Sequence, residues 1–338
     1  MRYLLTGHTG FKGSWLTAML TAQGHEISGV ALDPEPGSLF ERAEIHRLLA
    51  KDHRVDIRDA STLREIVRRE RPSVILHLAA QPLVRASYAR PQETVEVNAV
   101  GTMNVLDAIR GVDSVEGALV VTTDKVYRND GRRDGYVESD PLGGRDPYSA
   151  SKAMADILAS SWASSFDLPP VLIARAGNVI GGGDSAQDRL FPDLVRAWSR
   201  GQSATIRNGD AIRPWQHVLD CLNGYLAGLG SVLASGEGTV FNFGPLPDQV
   251  HRVRELVEEA ARCWGGAAQW QEVIESGPHE ESVLLLNSSS ARDALGWRDK
   301  LSFESAVDWT VSWEKAAAAG EDPMRALQSQ IEEFEQLN

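Results

Sequence analysis

The chain has 338 residues, 42% hydrophobic and 24% charged, an ordinary globular composition with length enough for two lobes around a normal core. Its formal net charge of −13 argues against broad contact with nucleic acid or acidic membranes, and any anionic ligand must be met by local arginines. Only two cysteines, Cys221 and Cys263, are present, so no disulfide framework is expected and a reducing compartment fits.

The chain opens on the strand-like Arg2-Tyr3-Leu4-Leu5, and no signal peptide is expected. No apolar run approaches membrane-spanning length, and the cytoplasm is the expected location. Short apolar runs, Tyr3–Thr6, Ile27–Leu32, Val74–Leu78, Ala118–Thr122 and Val171–Ala174, read as strands buried on both faces. Amphipathic stretches lie between them: Ser14–Thr21, Ser61–Arg69 and Glu93–Ile109. Strand and helix alternating in this way predict parallel strands with right-handed crossovers, a doubly wound sheet. After Gly181-Gly182-Gly183 the pattern weakens into loops, helices and tryptophans. Thr239–Phe243 reads as a further strand, returning the chain to the first lobe, and Phe303–Lys315 with Ala316–Ala319 reads as a helix. The expected division is residues 1–178, with a returning segment near 215–245, and a mainly separate, discontinuous lobe over 179–338.

TGHTGFKG places Gly7, Gly10 and Gly13 directly after the first strand and before a helix. Glycine serves there where φ is positive, where backbone approaches a diphosphate and where helix packs on strand. The helix starting near Ser14 would aim free N–H groups at that diphosphate. Asp33 ends the second strand, twenty residues past Gly13. An acid there accepts hydrogen bonds from an adenosine ribose and repels a 2′-phosphate, so NAD is expected over NADP. Asp56-Ile57, after the third strand, are expected at the adenine; a solvated turn acid is the plain alternative for Asp56.

DPYSASKAMADIL supplies a second constellation. Asp146 is a good N-cap, Pro147 suits the first helical position, and Tyr148 and Lys152 fall at i and i+4 on one face. To take a proton from a sugar hydroxyl the tyrosine must be ionised, and a nearby ammonium and a positive nicotinamide favour the phenolate. Thr123, at the end of VVTTDKVY, can hydrogen-bond the same hydroxyl. Asp124 and Lys125 follow it at the strand end, an acid beside a base; a surface salt bridge at a turn is the plain alternative. The eight histidines show no paired metal spacing, and no metal is expected.

Gly7-x-x-Gly10-x-x-Gly13 with Tyr148-x-x-x-Lys152 resembles the extended short-chain dehydrogenase/reductase superfamily. The blocks TGHTGFKGSWL, HLAAQPLVRASY, TTDKVY, DPLGGRDPYSASK, RAGNVIGGGD, DRLFPD, RPWQHVLD and ALGW narrow the resemblance to the CDP-glucose 4,6-dehydratases over nearly the whole chain. The resemblance implies a Rossmann-type lobe holding NAD and a smaller mixed α/β C-terminal lobe for the nucleotide sugar. It implies Phe11, Leu78, Ala79, Ala80 and Asn98 at the cofactor, beside the residues named above. It implies carbon 4 oxidation by Tyr148, then loss of water from carbons 5 and 6, with Asp124 as acid and Lys125 as base. The related dTDP-glucose enzymes carry Asp-Glu at that pair. A homodimer or homotetramer through the Tyr148 helix is a further implication.

For the substrate diphosphate, guanidinium forks match phosphate best. Arg213 and Asn178 are the leading candidates, followed by Arg189 and Arg207, although each arginine alone is more often a solvated residue. Gln81, Arg85 and Tyr88 follow the fourth strand at its carboxyl end, where ligands bind in such sheets, and are expected at sugar or nicotinamide. Against the family pattern, Ser185 stands in place of a tryptophan, Gly209 in place of a proline and Glu281 in place of a small residue, and 129–135 lacks a tryptophan.

Overall fold

A computed structural model describes residues 1–266, 268–273 and 283–337; Glu281 lies outside them. Six strands, β1 (Arg2–Thr6), β2 (Glu26–Ala31), β3 (Lys51–Arg54), β4 (Val74–His77), β5 (Gly117–Val121) and β6 (Val171–Ala176), join the later strand Thr239–Phe243 in one sheet. From one edge the order is Thr239–Phe243, β6, β5, β4, β1, β2, β3, and every pairing is parallel. The direction of winding reverses between β1 and β4. Carboxyl ends of strands at such a switch point leave a crevice that no crossover helix covers.

The apolar strands are buried because helices cover both faces: β4, β5 and β6 are buried along their whole length. β3, with the sequence KDHR, is polar and mostly exposed, an edge strand held by register with β2. The stretch 91–109 is helical, broken by a π turn at Glu96–Val100 that carries Asn98. The helix Pro147–Ser165 starts as its sequence dictates, with the Asp146 side chain accepting from Ser149 N–H and Pro147 in the first turn. Its buried face includes Tyr148, Lys152, Ala155, Asp156 and Ala159.

A buried polar knot fixes the end of β5 against this helix. Arg175 donates to Asp156 through Nε at 2.8 Å and Nη2 at 2.7 Å, and to Tyr127 Oη at 2.8 Å. Thr122 donates to Asp156 at 3.0 Å, and Tyr127 donates to Asn242 of the last strand at 2.7 Å. Removing one partner of such a buried pair costs about 3–5 kcal/mol, so Thr123–Lys125 emerges from a rigid mount.

A second lobe has its own core, including Phe191, Leu194, Trp198, Ile206, Leu256 and Val307. The helix Pro323–Gln336 does not join it. Leu327, Ile331 and Phe334 pack instead into the first lobe's core with Trp15 and Leu16, so the tail of the 179–338 segment returns to the sheet domain. The helix Val218–Ser235 corrects the sequence reading in another respect: by length and composition it is apolar enough to cross a membrane. Its Leu219, Leu222, Tyr225 and Leu229 are core residues against the sheet, which accounts for that composition.

Asp220 in this helix is buried and accepts from the backbone N–H groups of Lys300 and Leu301. Burial pushes its carboxyl up to about 7, opposed by those N–H groups. A raised acid favours folding through its protonated form, so its contribution is complete below the ordinary value of 3.8 and is lost as pH rises through about 7. Asp220→Asn is therefore expected to gain stability relative to wild type between about pH 4 and 7, by roughly 1 kcal/mol per pH unit, and to level off above, in thermal melts. A stability difference independent of pH would contradict this.

Candidate active site

A cleft of about 660 Å³ runs from the glycine loop, across the carboxyl ends of β1, β4 and β5, to the second lobe. Gly7 adopts φ +80°, and a Cβ on it would lie 2.7 Å from Ala79 N. A Cβ on Gly13 would lie 2.2 Å from Gly7 O. The helix Phe11–Ala22 begins at Gly10 with no side-chain cap, leaving its first N–H groups directed to the cleft end. This bare turn and helix terminus fit a dinucleotide diphosphate. Phe11, Leu78, Ala79, Ala80, Asp56 and Ile57 line the same cleft, with Asp56 held by Arg58 Nη2 at 2.6 Å.

Three expected ligand residues do not line it. β2 ends at Ala31, and Asp33 sits exposed in the turn beyond, while Leu32 supplies the wall. Gln81 turns its amide into its own loop, donating to Leu83 O and Thr94 Oγ1 and accepting from Leu83 N. Asn98 is buried: its Oδ1 accepts from Gln81 N at 2.8 Å, and its Nδ2 donates to Gln81 O and to Ser151 Oγ. It therefore ties the loop after β4 to the Tyr148 helix, and the π turn gives it that reach.

Thr123, Asp124, Lys125, Tyr148 and Lys152 all line the cleft. Tyr148 is buried, and its backbone N–H donates to Ser87 Oγ at 3.1 Å. Burial pushes its phenol up to about 12, while the neighbouring Thr123 hydroxyl and the charge of Arg189 pull the other way. Lys152 Nζ donates to Val121 O at 2.7 Å; burial, then the charge of Lys12, lower it to about 8. Asp124 is 1% exposed. Its Oδ1 accepts from Thr123 Oγ1 at 2.8 Å and from Lys125 Nζ at 3.4 Å, while its Oδ2 is buried without a partner among the described residues. A buried carboxylate oxygen with no donor is costly unless a ligand group meets it.

On the second-lobe side, Asn178, Arg189, Arg207, Arg213, Arg85 and Tyr88 line the cleft. Asn178 keeps a buried Oδ1 with no partner among the described residues. Arg189 is paired with Asp184 at 3.0 Å and lies close enough to Tyr148 to favour its ionisation, a placement that the sequence does not disclose. Arg85 faces Asp188 at 3.9 Å. Gly209 N–H donates to Glu272 at 2.7 Å, and the Glu272 carboxylate would lie 3.0 Å from a Cβ there, so a proline ring is crowded at this position. Lys12 is a cleft residue that sequence reasoning missed; its Nζ donates to the buried Tyr225 Oη at 3.1 Å. Its position inside the glycine loop was the available signal. His77 is structural, bridging Thr6 and Thr102, with burial lowering it to about 3.

The family model described as GDP-mannose 4,6 dehydratase matches residues 4–310. The chain belongs to that family. Among curated relatives, it is 40% identical to a CDP-glucose 4,6-dehydratase of Salmonella typhimurium, over 98% of this chain and 96% of that one. It is 27% identical to a probable dTDP-glucose 4,6-dehydratase of Sinorhizobium fredii, over 93% and 92%. Among solved structures, it resembles a dTDP-glucose 4,6-dehydratase of Streptomyces venezuelae with NAD bound: TM-score 0.79, 26% identity, 96% of this chain and 100% of that one. A UDP-glucose 4-epimerase of Thermus thermophilus in complex with NAD gives a TM-score of 0.79 at 26% identity, over 94% and 100%. The cofactor of this nucleotide-sugar 4,6-dehydratase is NAD, and its fold is of the Rossmann type.

Proposed function

We propose that the chain converts CDP-glucose to CDP-4-keto-6-deoxyglucose for deoxysugar biosynthesis. The observation carrying the dehydratase step is Asp124: a carboxyl at 1% exposure, one oxygen unpartnered, hydrogen-bonded through Thr123 to the site of Tyr148. When bound, NAD would supply the hydride acceptor for carbon 4 oxidation and the hydride donor for carbon 6. Gly7, Gly10, Phe11 and Gly13 would hold its diphosphate end, Asp56 and Ile57 its adenine end, and Tyr148 with Lys152 its nicotinamide end. Tyr148 takes the proton of the carbon 4 hydroxyl. The resulting ketone acidifies the proton on carbon 5, which Lys125 accepts as Asp124 protonates the departing carbon 6 hydroxyl. Lys125 acts as base only in its neutral form, so its 3.4 Å ion pair with Asp124 must be discharged first.

The second lobe would bind the nucleotide, with Arg213, Asn178, Arg207 and Arg189 around the diphosphate and Arg85 and Tyr88 near the sugar. Cytidine as the base rests on the 40% identical relative. A 4-epimerase needs carbon 4 oxidation alone and has no use for Asp124 beside Lys125. The assembly would be a homodimer or homotetramer through the helix Pro147–Ser165, which leaves Met154 and Ile157 exposed at 44% and 54%. The location would be cytoplasmic. Incubation with CDP-, dTDP-, UDP- and GDP-glucose, read by mass, tests the reading. Loss of one water, fastest with CDP-glucose, is expected; isomers of unchanged mass would replace it with epimerisation.

A further inference from the structure

Asp124 poses a problem of supply. Its carboxyl must carry a proton when the carbon 6 hydroxyl leaves, yet it lies buried against Lys125 and away from bulk water. The same pocket generates a proton one step earlier, on Tyr148. Between the two stands Thr123, in the same cleft: its hydroxyl neighbours the Tyr148 phenol and donates to Asp124 Oδ1 at 2.8 Å. Thr123 is itself buried, and its rotamer is further held by the Lys125 backbone N–H at 3.4 Å.

We infer that Thr123 is a proton relay, carrying the proton that Tyr148 removes from the carbon 4 hydroxyl to Asp124, which delivers it to the leaving carbon 6 hydroxyl. The inference rests on the dehydratase reading above. The steps balance. The O4–H bond breaks and the Tyr148 O–H bond forms as carbon 4 is oxidised. Tyr148 then passes its proton to Thr123 Oγ while the original Thr123 proton moves to Asp124 Oδ1, which restores the phenolate and makes a neutral carboxylic acid. Neutral Lys125 takes the carbon 5 proton; that electron pair becomes the carbon 5–carbon 6 double bond, and the carbon 6–oxygen pair leaves as water with the Asp124 proton. Return of the hydride to carbon 6 is matched by return of the Lys125 proton to carbon 5. Every group ends as it began: the departing water holds the proton that Thr123 gave up, and Thr123 keeps the former carbon 4 hydroxyl proton.

The relay separates Thr123 from a simple helper of Tyr148. A helper affects carbon 4 oxidation; a relay also governs elimination. In single-turnover quench experiments with the NAD-loaded enzyme and CDP-glucose, Thr123→Val is expected to accumulate NADH and the 4-keto sugar that still holds its carbon 6 hydroxyl. Its elimination step should slow about 100-fold, as for Asp124→Asn, while Thr123→Ser recovers most of it. A Thr123→Val enzyme that oxidises slowly but eliminates at the wild-type rate would overturn the relay and leave Lys125 as the proton source. Failure of wild type to lose water from any nucleotide-glucose would remove the dehydratase reading and the relay with it.

A readout on the cofactor-free protein complements this. With Asp124 removed, the Thr123 hydroxyl is released to donate to the Tyr148 phenolate. Asp124→Ala should therefore lower the Tyr148 pKa, followed by tyrosine-labelled NMR, by about one unit more in the Thr123 background than in T123V. Equal shifts in both backgrounds would mean that the two groups sense each other by charge alone, without the shared hydroxyl, and would overturn the proposal.

Discussion

Asp124→Asn is expected to oxidise carbon 4 and then stop. Asparagine keeps the shape of the side chain and can still accept from Thr123, so the 2.8 Å contact and the buried packing survive. It has no acidic proton to give to a departing hydroxide, which is a poor leaving group at neutral pH. Loss of a positioned general acid costs about 10²–10⁴-fold, so dehydration should fall by that factor while NADH appears at close to the wild-type rate. The variant also exchanges an ion pair with Lys125 for a neutral contact. Lys125 itself is untouched, so the block cannot be attributed to removal of the base. Stopped-flow absorbance for NADH alongside mass analysis of the sugar separates the two steps. Normal dehydration by the variant would remove Asp124 from the mechanism.

Gly13→Ala is the second large effect. The added methyl would lie 2.2 Å from Gly7 O and 2.7 Å from His8 Cα, both backbone, so no side chain can swing away. Gly7 cannot yield either: its N–H donates to Val30 O at 2.8 Å, and its φ of +80° and the nearby Ala79 N fix its place. The loop must open, at a cost of about 1–3 kcal/mol, and the diphosphate seat opens with it. NAD affinity should fall about tenfold to a hundredfold by calorimetry. Gly230→Ala is a matched control: that glycine lies in the helix Val218–Ser235 with nothing within 4 Å of the new methyl, and NAD binding should not change. Equal affinities for the Gly13 variant and wild type would contradict the close helix-to-loop packing.

Much of the sheet was legible because strands buried on both faces must be continuously apolar. Val74–His77 and Val171–Ala176 announce themselves in that way. β3 was read only as a strand ahead of Asp56, without bounds, since KDHR is a polar edge whose pairing comes from backbone register. The helix Val218–Ser235 shows the converse limit, because apolar composition does not distinguish a core helix from a membrane span, whereas its neighbours do. In the site, the glycine loop and the Tyr148–Lys152 pair were readable from spacing taken with their flanks: strand before and helix after the loop, and Thr123 at a strand end. Asp33 lies two residues past the end of β2, exposed in the turn, because strand ends read from sequence shift by a residue or two. Gln81 and Asn98 sit in a loop and a π turn, where side-chain direction follows hydrogen bonds that sequence does not display. Lys12 and Arg189 owe their influence on Lys152 and Tyr148 to tertiary proximity, which no local pattern carries.

The central claim is that one pocket oxidises carbon 4, removes water and returns the same hydride to carbon 6. CDP-glucose carrying deuterium on carbon 4 tests it directly, with the sugar product analysed by NMR and mass. The account predicts a 4-keto-6-deoxy product with the deuterium on carbon 6 and one water lost. Deuterium retained on carbon 4 of a product of unchanged mass, or lost to solvent, would contradict it.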